Sequence, residues 1–301
     1  MGASVALIAV VLPLGYLVVR ATEGGWAPVA RTLLRRVTVD LTVRSVLLAA
    51  FVTAASLVLG VAGAWLVTRT DLMWVRGWRV LLSLPLAVPS YVAAWAWIGL
   101  RPQLAGFVGA AVVLTSVSYP FVYLPVAAAL RRADPAIEDA ARMLGRGPVA
   151  VFLTVTLRQA RSAAVGGALL VGLYALSDFG AVSIMRYQSL TQAIYRSYRS
   201  SFDRTPAAVL GLLLVAIALA VLLAQRRVAG HDRVARPSVG APRRPAPVAL
   251  GGWRWPALAG LLVVLGVTLG VPAWSLVYWL RRGTSTTDWA TLADATLTTS
   301  W

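Results

Sequence analysis

The chain runs to 301 residues, 59% hydrophobic and only 13% charged, which excludes an ordinary soluble globular domain and points to a membrane protein. Its net charge of +17 comes from 28 arginines and no lysine. These arginines lie between apolar spans, the arrangement that sets membrane orientation, so a lipid bilayer and not nucleic acid is the expected environment. Without lysine there is no P-loop ATPase site. Without cysteine, and with His231 as the single histidine, there is no thiolate or multi-histidine metal site and no Ser-His-Asp triad. No metal, no bound cofactor and no enzymatic activity are expected of this chain.

In chain order, residues 3–19 form a first apolar run long enough to span and lacking the charged start of a signal peptide. Residues 20–44 read as a polar, partly amphipathic connection, and 46–68 as the second span. Residues 69–79 make a short basic loop whose Trp74 and Trp78 suit a membrane–water interface. The third span, 80–100, carries Pro85, Pro89, Ser90 and Tyr91. The fourth, 104–130, carries Ser116, Ser118, Tyr119, Pro120, Tyr123 and Pro125. Proline inside a membrane helix frees carbonyls one turn back, which neighbours or a water-filled cavity must satisfy. Two readings stand: a pathway that bends at these kinks, with Pro89, Tyr119 and Pro120 as candidate lining residues, or ordinary helix packing.

Residues 134–158 interrupt this apolar pattern with a charged helical hairpin. Asp134 and Pro135 start a helix, and Glu138 and Asp139 complement its dipole. Ala140 and Ala141 offer a bare surface for close approach, and Gly145-Arg146-Gly147-Pro148 turns the chain into a second helix. There Val149, Phe152, Leu153 and Leu157 supply an apolar stripe. So short a hairpin needs a support. The fifth span, 163–185, is smooth at Gly166, Gly167 and Gly172. It then brings Tyr174, Ser177 and Asp178 near its far end, with Tyr174 and Asp178 one turn apart. An aspartate in a span is a functional candidate by default. The alternative is a structural pair with Arg101 or Arg186, favoured by a position about 22 Å along the helix. Residues 187–202 place Tyr187, Leu190, Ile194, Tyr198 and Phe202 at helical spacing, an amphipathic surface helix that is either a gate or docking site or a helix resting on headgroups.

Residues 207–223 are the sixth span, 226–255 a basic, Pro-rich linker, and 255–280 the seventh span. With the N-terminus inside, the intervals 69–79, 131–162 and 226–254 are cytoplasmic and hold 16 arginines against 12 in the outer intervals. The end of the chain also echoes its start. Pro13, Tyr16 and Trp26-Ala27 are matched by Pro272, Tyr278 and Trp289-Ala290. The organisation expected is a first unit of six helices over 1–225 with a cytoplasmic loop at 131–162, a linker over 226–255, and a second unit begun at 256–301 and cut off at Trp301, within a longer native chain of about twelve spans.

Asp139-Ala140-Ala141, three residues and then Gly145, with Val155 and Leu157 downstream, resembles the EAA loop of bacterial ABC importer permeases. Asp139 stands for the usual Glu, and Arg158 stands where that pattern has Pro. The segment SDFGAVSIM with TQAIY after it looks most like the ferric-iron branch, whose permeases commonly fuse two halves. The resemblance implies an all-α permease that binds no nucleotide itself. Its loop, through Glu138, Asp139, Ala140, Ala141 and Gly145, would dock on a separate ATPase dimer that carries ATP and Mg. Substrate would arrive from an extracytoplasmic binding protein, with Asp178, Tyr174 and Ser177 as oxygen contacts for ferric iron. Permeases for thiamine, polyamine, sulfate or molybdate share the layout. An ion-coupled secondary transporter is the competing class, though it would bury more ionisable groups than Asp178 alone.

Overall fold

In the computed structural model, residues 2–133, 135–200, 204–229 and 247–282 are described, with 294 and 298. Asp134, Phe202, His231 and most of the Trp289-Ala290 echo region lie outside the described residues. Every described element is helical apart from one isolated bridge, Thr70 to Val248.

Helices α1 (Gly2–Thr22) and α2 (Trp26–Leu33) precede α3 (Arg36–Arg69), whose 34 residues make a rod of about 50 Å. The expected connection over 20–44 is therefore mostly helix. The reason lies in packing: Leu41 is buried with Leu190 and Leu210, and Ser45 accepts from the Leu190 N–H at 2.9 Å. Next come α4 (Val75–Leu81), a 3-10 turn at Leu84–Ala87, and α5 (Ser90–Leu100). The expected straight third span is broken here, with 90° between Val75–Ala87 and Ser90–Leu100. Pro85 and Pro89 sit four residues apart, so two successive turns lose a donor, and Pro89 adopts an extended ψ of 140°.

Helices α6 (Phe107–Ser118) and α7 (Pro120–Arg132) form one span, Phe107–Arg132. Pro120 takes the first position of α7, where its missing N–H costs nothing, so the kink expected here does not become a break. The hairpin holds α8 (Pro135–Met143), α9 (Pro148–Val151), a π-helical turn at Phe152–Thr156 and α10 (Leu157–Gln159). It turns by 71° into α11 (Arg161–Ser177). The fifth span ends there, eight residues early, and α12 (Gly180–Ile184) is a separate turn. After α13 (Leu190–Ser200) and α14 (Thr205–Ala229) come α15 (Arg254–Leu265), a second π turn at Gly266–Gly270 and α16 (Val271–Arg281). Helix α14 runs four residues past the expected start of the linker.

Among the described residues four helices are long and apolar enough to cross a membrane, or six if each bent pair is one span, and Val11–Thr22 is a shorter apolar helix. The core is where α3, α7 and α11 meet around Leu48, Val52, Val122 and Val171. The backbones approach closely: a Cβ on Gly167 would lie 2.6 Å from the Phe121 carbonyl oxygen, and one on Gly60 would lie 2.7 Å from Val122 Cβ. The Ser56 and Ser118 hydroxyls bond across this seam at 3.2 Å. Helix α13 is not a free surface helix. Leu190 and Ala193 are buried against α3 and α14, whereas Tyr195 and Tyr198 are exposed, and the Tyr187 hydroxyl donates to the Arg44 carbonyl at 3.0 Å.

The intervals that arginine counting assigns to one side meet in space. Arg69 touches Glu138, and Val248 pairs with Thr70. At the other end the Gly106 N–H donates to the Met185 carbonyl, and Leu190 meets Ser45.

Candidate functional site

The hairpin rests on the end of α3 through a buried ion pair. Glu138 Oε1 lies 2.9 Å from Arg69 Nη2 and accepts from the Thr156 hydroxyl at 3.0 Å, with both ionic side chains almost fully enclosed. Arg142 Nη2 stands 3.9 Å from the second Glu138 oxygen. Glu138, expected to offer charge on the loop, turns it inward here and holds α8 on α3. Asp139, one residue on, points to solvent and pairs with Arg142 at 3.1 Å. Ala140 is exposed, but Ala141 is buried, so the bare surface is Ala140 alone.

Gly145 ends α8 in a left-handed conformation at φ 79°. The Arg146 N–H donates to the Ala141 carbonyl at 3.2 Å and the Gly145 N–H to the Arg142 carbonyl at 2.9 Å, the paired bonds of a Schellman cap. The cap leaves Met143 and Leu144 more than four-fifths exposed. The apolar stripe expected of the second helix is rotated. Val149 and Leu153 face out, while Val151, Thr156 and Ala160 are buried and Phe152 packs on Trp65 at 5.2 Å. The π turn accounts for the later part of the change, because its extra residue per turn brings Val151 and Thr156, five residues apart, to one inward face. The exposed apolar residues of the hairpin away from α3 and α11 are thus Ile137, Ala140, Met143, Leu144 and Val149, with Asp139 beside them, while Leu153 borders the space between α3, α11 and α14. The first five form an apolar surface that α3 and α11 leave uncovered.

At the far end Asp178 closes α11 and caps α12. Its Oδ1 accepts from the Ala181 N–H at 2.8 Å and more distantly from Val182 at 3.4 Å, its Oδ2 accepts from the Ser90 hydroxyl at 2.5 Å, and its carbonyl accepts from Thr191. Neither Arg101 nor Arg186 is its partner, which corrects the structural pair expected from sequence. A serine and a helix N-terminus supply the donors instead. Tyr174 lies one turn back against Phe121 at 5.7 Å, and Ser177 is exposed and donates to the Tyr174 carbonyl. Pro89 caps α5 immediately before Ser90, so the break in the third span and the end of the fifth are joined through the Ser90–Asp178 hydrogen bond. Tyr119 and Pro120 are buried within the α6–α7 seam, and the Tyr119 hydroxyl has no hydrogen-bond partner among the described residues.

A cavity of about 840 Å³ opens between α3, α11 and α14 above the hairpin, with Thr53, Thr154, Arg158, Arg161, Gly172 and Gln225 in its wall. None of the expected pathway residues lines it. Sequence reasoning therefore missed the cavity, and it also missed Arg69, Thr156 and Ser90. Arg69 carries a usable signal, an arginine closing an otherwise apolar run; its partner does not. No cluster of three metal-ligating side chains occurs among the described residues.

Residues 58–231 match the family described as the binding-protein-dependent transport system inner membrane component. The Fe(3+)-transport system permease protein FbpB 2 of Haemophilus influenzae is 32% identical over 275 residues, 91% of this chain and 54% of its own length. The present chain thus spans about half of that relative. The molybdate/tungstate permease WtpB of Pyrococcus furiosus is 25% identical over 67% of this chain and 83% of its own length. The sulfate permease CysW of Escherichia coli K12 is 26% identical over 78% of this chain and 89% of its own. In three dimensions the chain is similar to one from an inward-facing MetNI methionine ABC transporter, with TM-score 0.56 and 19% identity over 65% of this chain and 98% of that one.

Proposed function

From the premise that this chain belongs to the binding-protein-dependent transport system inner membrane component family, we propose that it is the permease of an ATP-driven importer whose cargo is ferric iron. Its N-terminus is cytoplasmic, and so is the hairpin. An ATPase dimer, carrying ATP and Mg, docks on the hairpin, and an extracytoplasmic binding protein delivers cargo at the opposite end. Residues 256–301 open a second unit like the first.

The observation that carries this reading is the family match over 58–231, which contains the whole hairpin with its uncovered apolar face. A partner seated there would bury Met143, Leu144 and Val149, while Asp139 and Ala140 set charge and close approach. Glu138 and Gly145 hold the shape of α8. Iron is favoured over sulfate or molybdate by the higher identity and broader coverage of the Haemophilus relative. Asp178 serves this function as a pin between two helix breaks, because both its carboxylate oxygens already accept hydrogen bonds. The test is uptake into vesicles holding the full-length permease with its ATPase and binding protein. Iron accumulation should need ATP on the hairpin side and ignore proton uncouplers. Uptake abolished by uncouplers would sink the importer reading, and uptake of sulfate or molybdate in place of iron would sink the cargo assignment.

A further inference from the structure

Residues 69–71 hold two parts of the chain at once. On one side the Arg69 guanidinium meets Glu138 of α8 at 2.9 Å. On the other, the Arg69 carbonyl accepts from the Val248 N–H at 2.8 Å, and the Asp71 N–H donates to the Val248 carbonyl at 3.2 Å, a short parallel bridge. Asp71 then closes a clamp. Its Oδ1 accepts from the Leu250 N–H at 2.9 Å and its Oδ2 from Arg254 Nη2 at 2.7 Å, at the first residue of α15. Helix α15 is itself anchored, with Leu261 buried in the main core, and α16 sets Trp279 against Gly99 of α5. The end of the linker is thus seated in register on the loop that supports the hairpin. A flexible tether needs neither the bridge nor a carboxylate that uses both oxygens on the incoming segment.

We propose that residues 69–71 are a relay through which a push on α8 reaches α15, with the segment 247–254 docked as a strap and Asp71 as the positioning residue that keeps it docked. The proposal rests on the importer reading only for the source of the push. Its physical content is that one residue, Arg69, joins the two moving parts by its side chain and its backbone, so no flexible connection intervenes.

The experiment uses the full-length permease assembled with its ATPase and binding protein in vesicles. The 301 residues contain no cysteine, so T70C/V248C introduces the only thiols of this stretch at bridge-paired positions that a disulfide can span. Cargo uptake and ATP hydrolysis are measured together, as cargo moved per ATP. Asp71→Ala should keep hydrolysis near wild type and lower cargo per ATP by about fivefold or more. Adding the T70C/V248C disulfide to Asp71→Ala should restore the ratio, and reductant should remove the gain. An unchanged ratio in Asp71→Ala, a parallel fall of both rates, or a disulfide that restores nothing would overturn the relay. Crosslinking yield at T70C/V248C, compared at rest and during ATP turnover, is read without reference to cargo and should not change; a yield that drops on turnover also overturns it. Failure of the importer reading shows differently, as wild-type protein without ATP-dependent uptake.

Discussion

Removing the Glu138 carboxylate should release the hairpin from α3. Arg69 is 3% exposed, and its Nε, Nη1 and Nη2 all lack a well-aligned hydrogen-bond partner among the described residues, so the ion pair with Glu138 is the main compensation for a buried cation. Arg142, the nearby second arginine, would oppose Arg69 once the carboxylate is gone. Breaking a buried pair by deleting one member costs about 3–5 kcal/mol. The contact at 2.9 Å is short but imperfectly aligned for hydrogen bonding, so Glu138→Ala is placed at the lower end, about 3 kcal/mol, which corresponds to about a hundredfold in a local opening equilibrium. Amide hydrogen exchange over α8 reads that opening directly. Exchange across 138–143 should accelerate by about two powers of ten, with the amides of α7 and α11 unaffected. The double variant Arg69→Met/Glu138→Leu should recover most of the loss, because matched apolar groups avoid the desolvation that the pair must offset. Acceleration below about threefold in Glu138→Ala, or a double variant worse than the single, would refute the claim that this pair holds the hairpin.

Gly145→Ala forces a Cβ into φ 79° and should cost about 1–2 kcal/mol of hairpin stability, with Gly145→Asn distinctly milder; equal exchange rates for the two would remove the left-handed cap from the account. Gly167→Ala places a methyl 2.6 Å from the Phe121 carbonyl oxygen, so about 1–3 kcal/mol should be lost in thermal unfolding of the purified protein, and a wild-type midpoint would contradict the packing described. Asp178→Asn keeps an acceptor for the Ala181 N–H and a group for Ser90 to meet, whereas Asp178→Ala loses both. Uptake should survive the first and fall with the second, and equal loss in both would favour direct cargo contact. For Asp71, the Leu250 N–H and then the Arg254 guanidinium hold the carboxyl below the usual carboxylate range. The sign is that of a depressed acid: the clamp's contribution is present above the ordinary value of about 3.9 and fades as pH falls through the lower folded one. Protection of the Leu250 amide against hydrogen exchange, corrected for the intrinsic pH dependence of exchange, should therefore be level from pH 5 to 8, and a loss of protection at pH 6 would contradict it.

Much of the fold is legible because bilayer crossing imposes a length on apolar runs, and the all-helical architecture follows from it. What is not legible is where a span breaks. Pro85 and Pro89 break the third span at right angles, whereas the fourth stays intact with Pro120 at the first position of α7 and Pro125 inside it, so the presence of proline alone does not announce a break. Asp178 ends the fifth span because Ser90 and two backbone amides await it, and nothing near residue 178 in the chain announces a serine 88 positions earlier. At the hairpin, the turn at Gly145 follows from residue type, but the inward face of the second helix does not. A π turn is invisible to a 3.6-residue periodicity, so the five-residue step between buried Val151 and Thr156 cannot be read from the apolar pattern.

The two adjacent acids of α8 show why composition alone could not assign roles. Glu138 and Asp139 carry the same charge and sit about 100° apart on one helix. That rotation puts Glu138 against Arg69 and Thr156 and leaves Asp139 in solvent beside Ala140. One carboxylate therefore fixes where α8 sits, and the other is free to meet whatever covers Met143 and Leu144. Exchanging their chemistry by Glu138→Asp/Asp139→Glu tests this division, since a shorter acid at 138 withdraws from Arg69 while a longer one at 139 changes little in solvent. Hydrogen exchange of α8 should report the first change and be indifferent to the second, and an effect carried by position 139 alone would reverse the assignment.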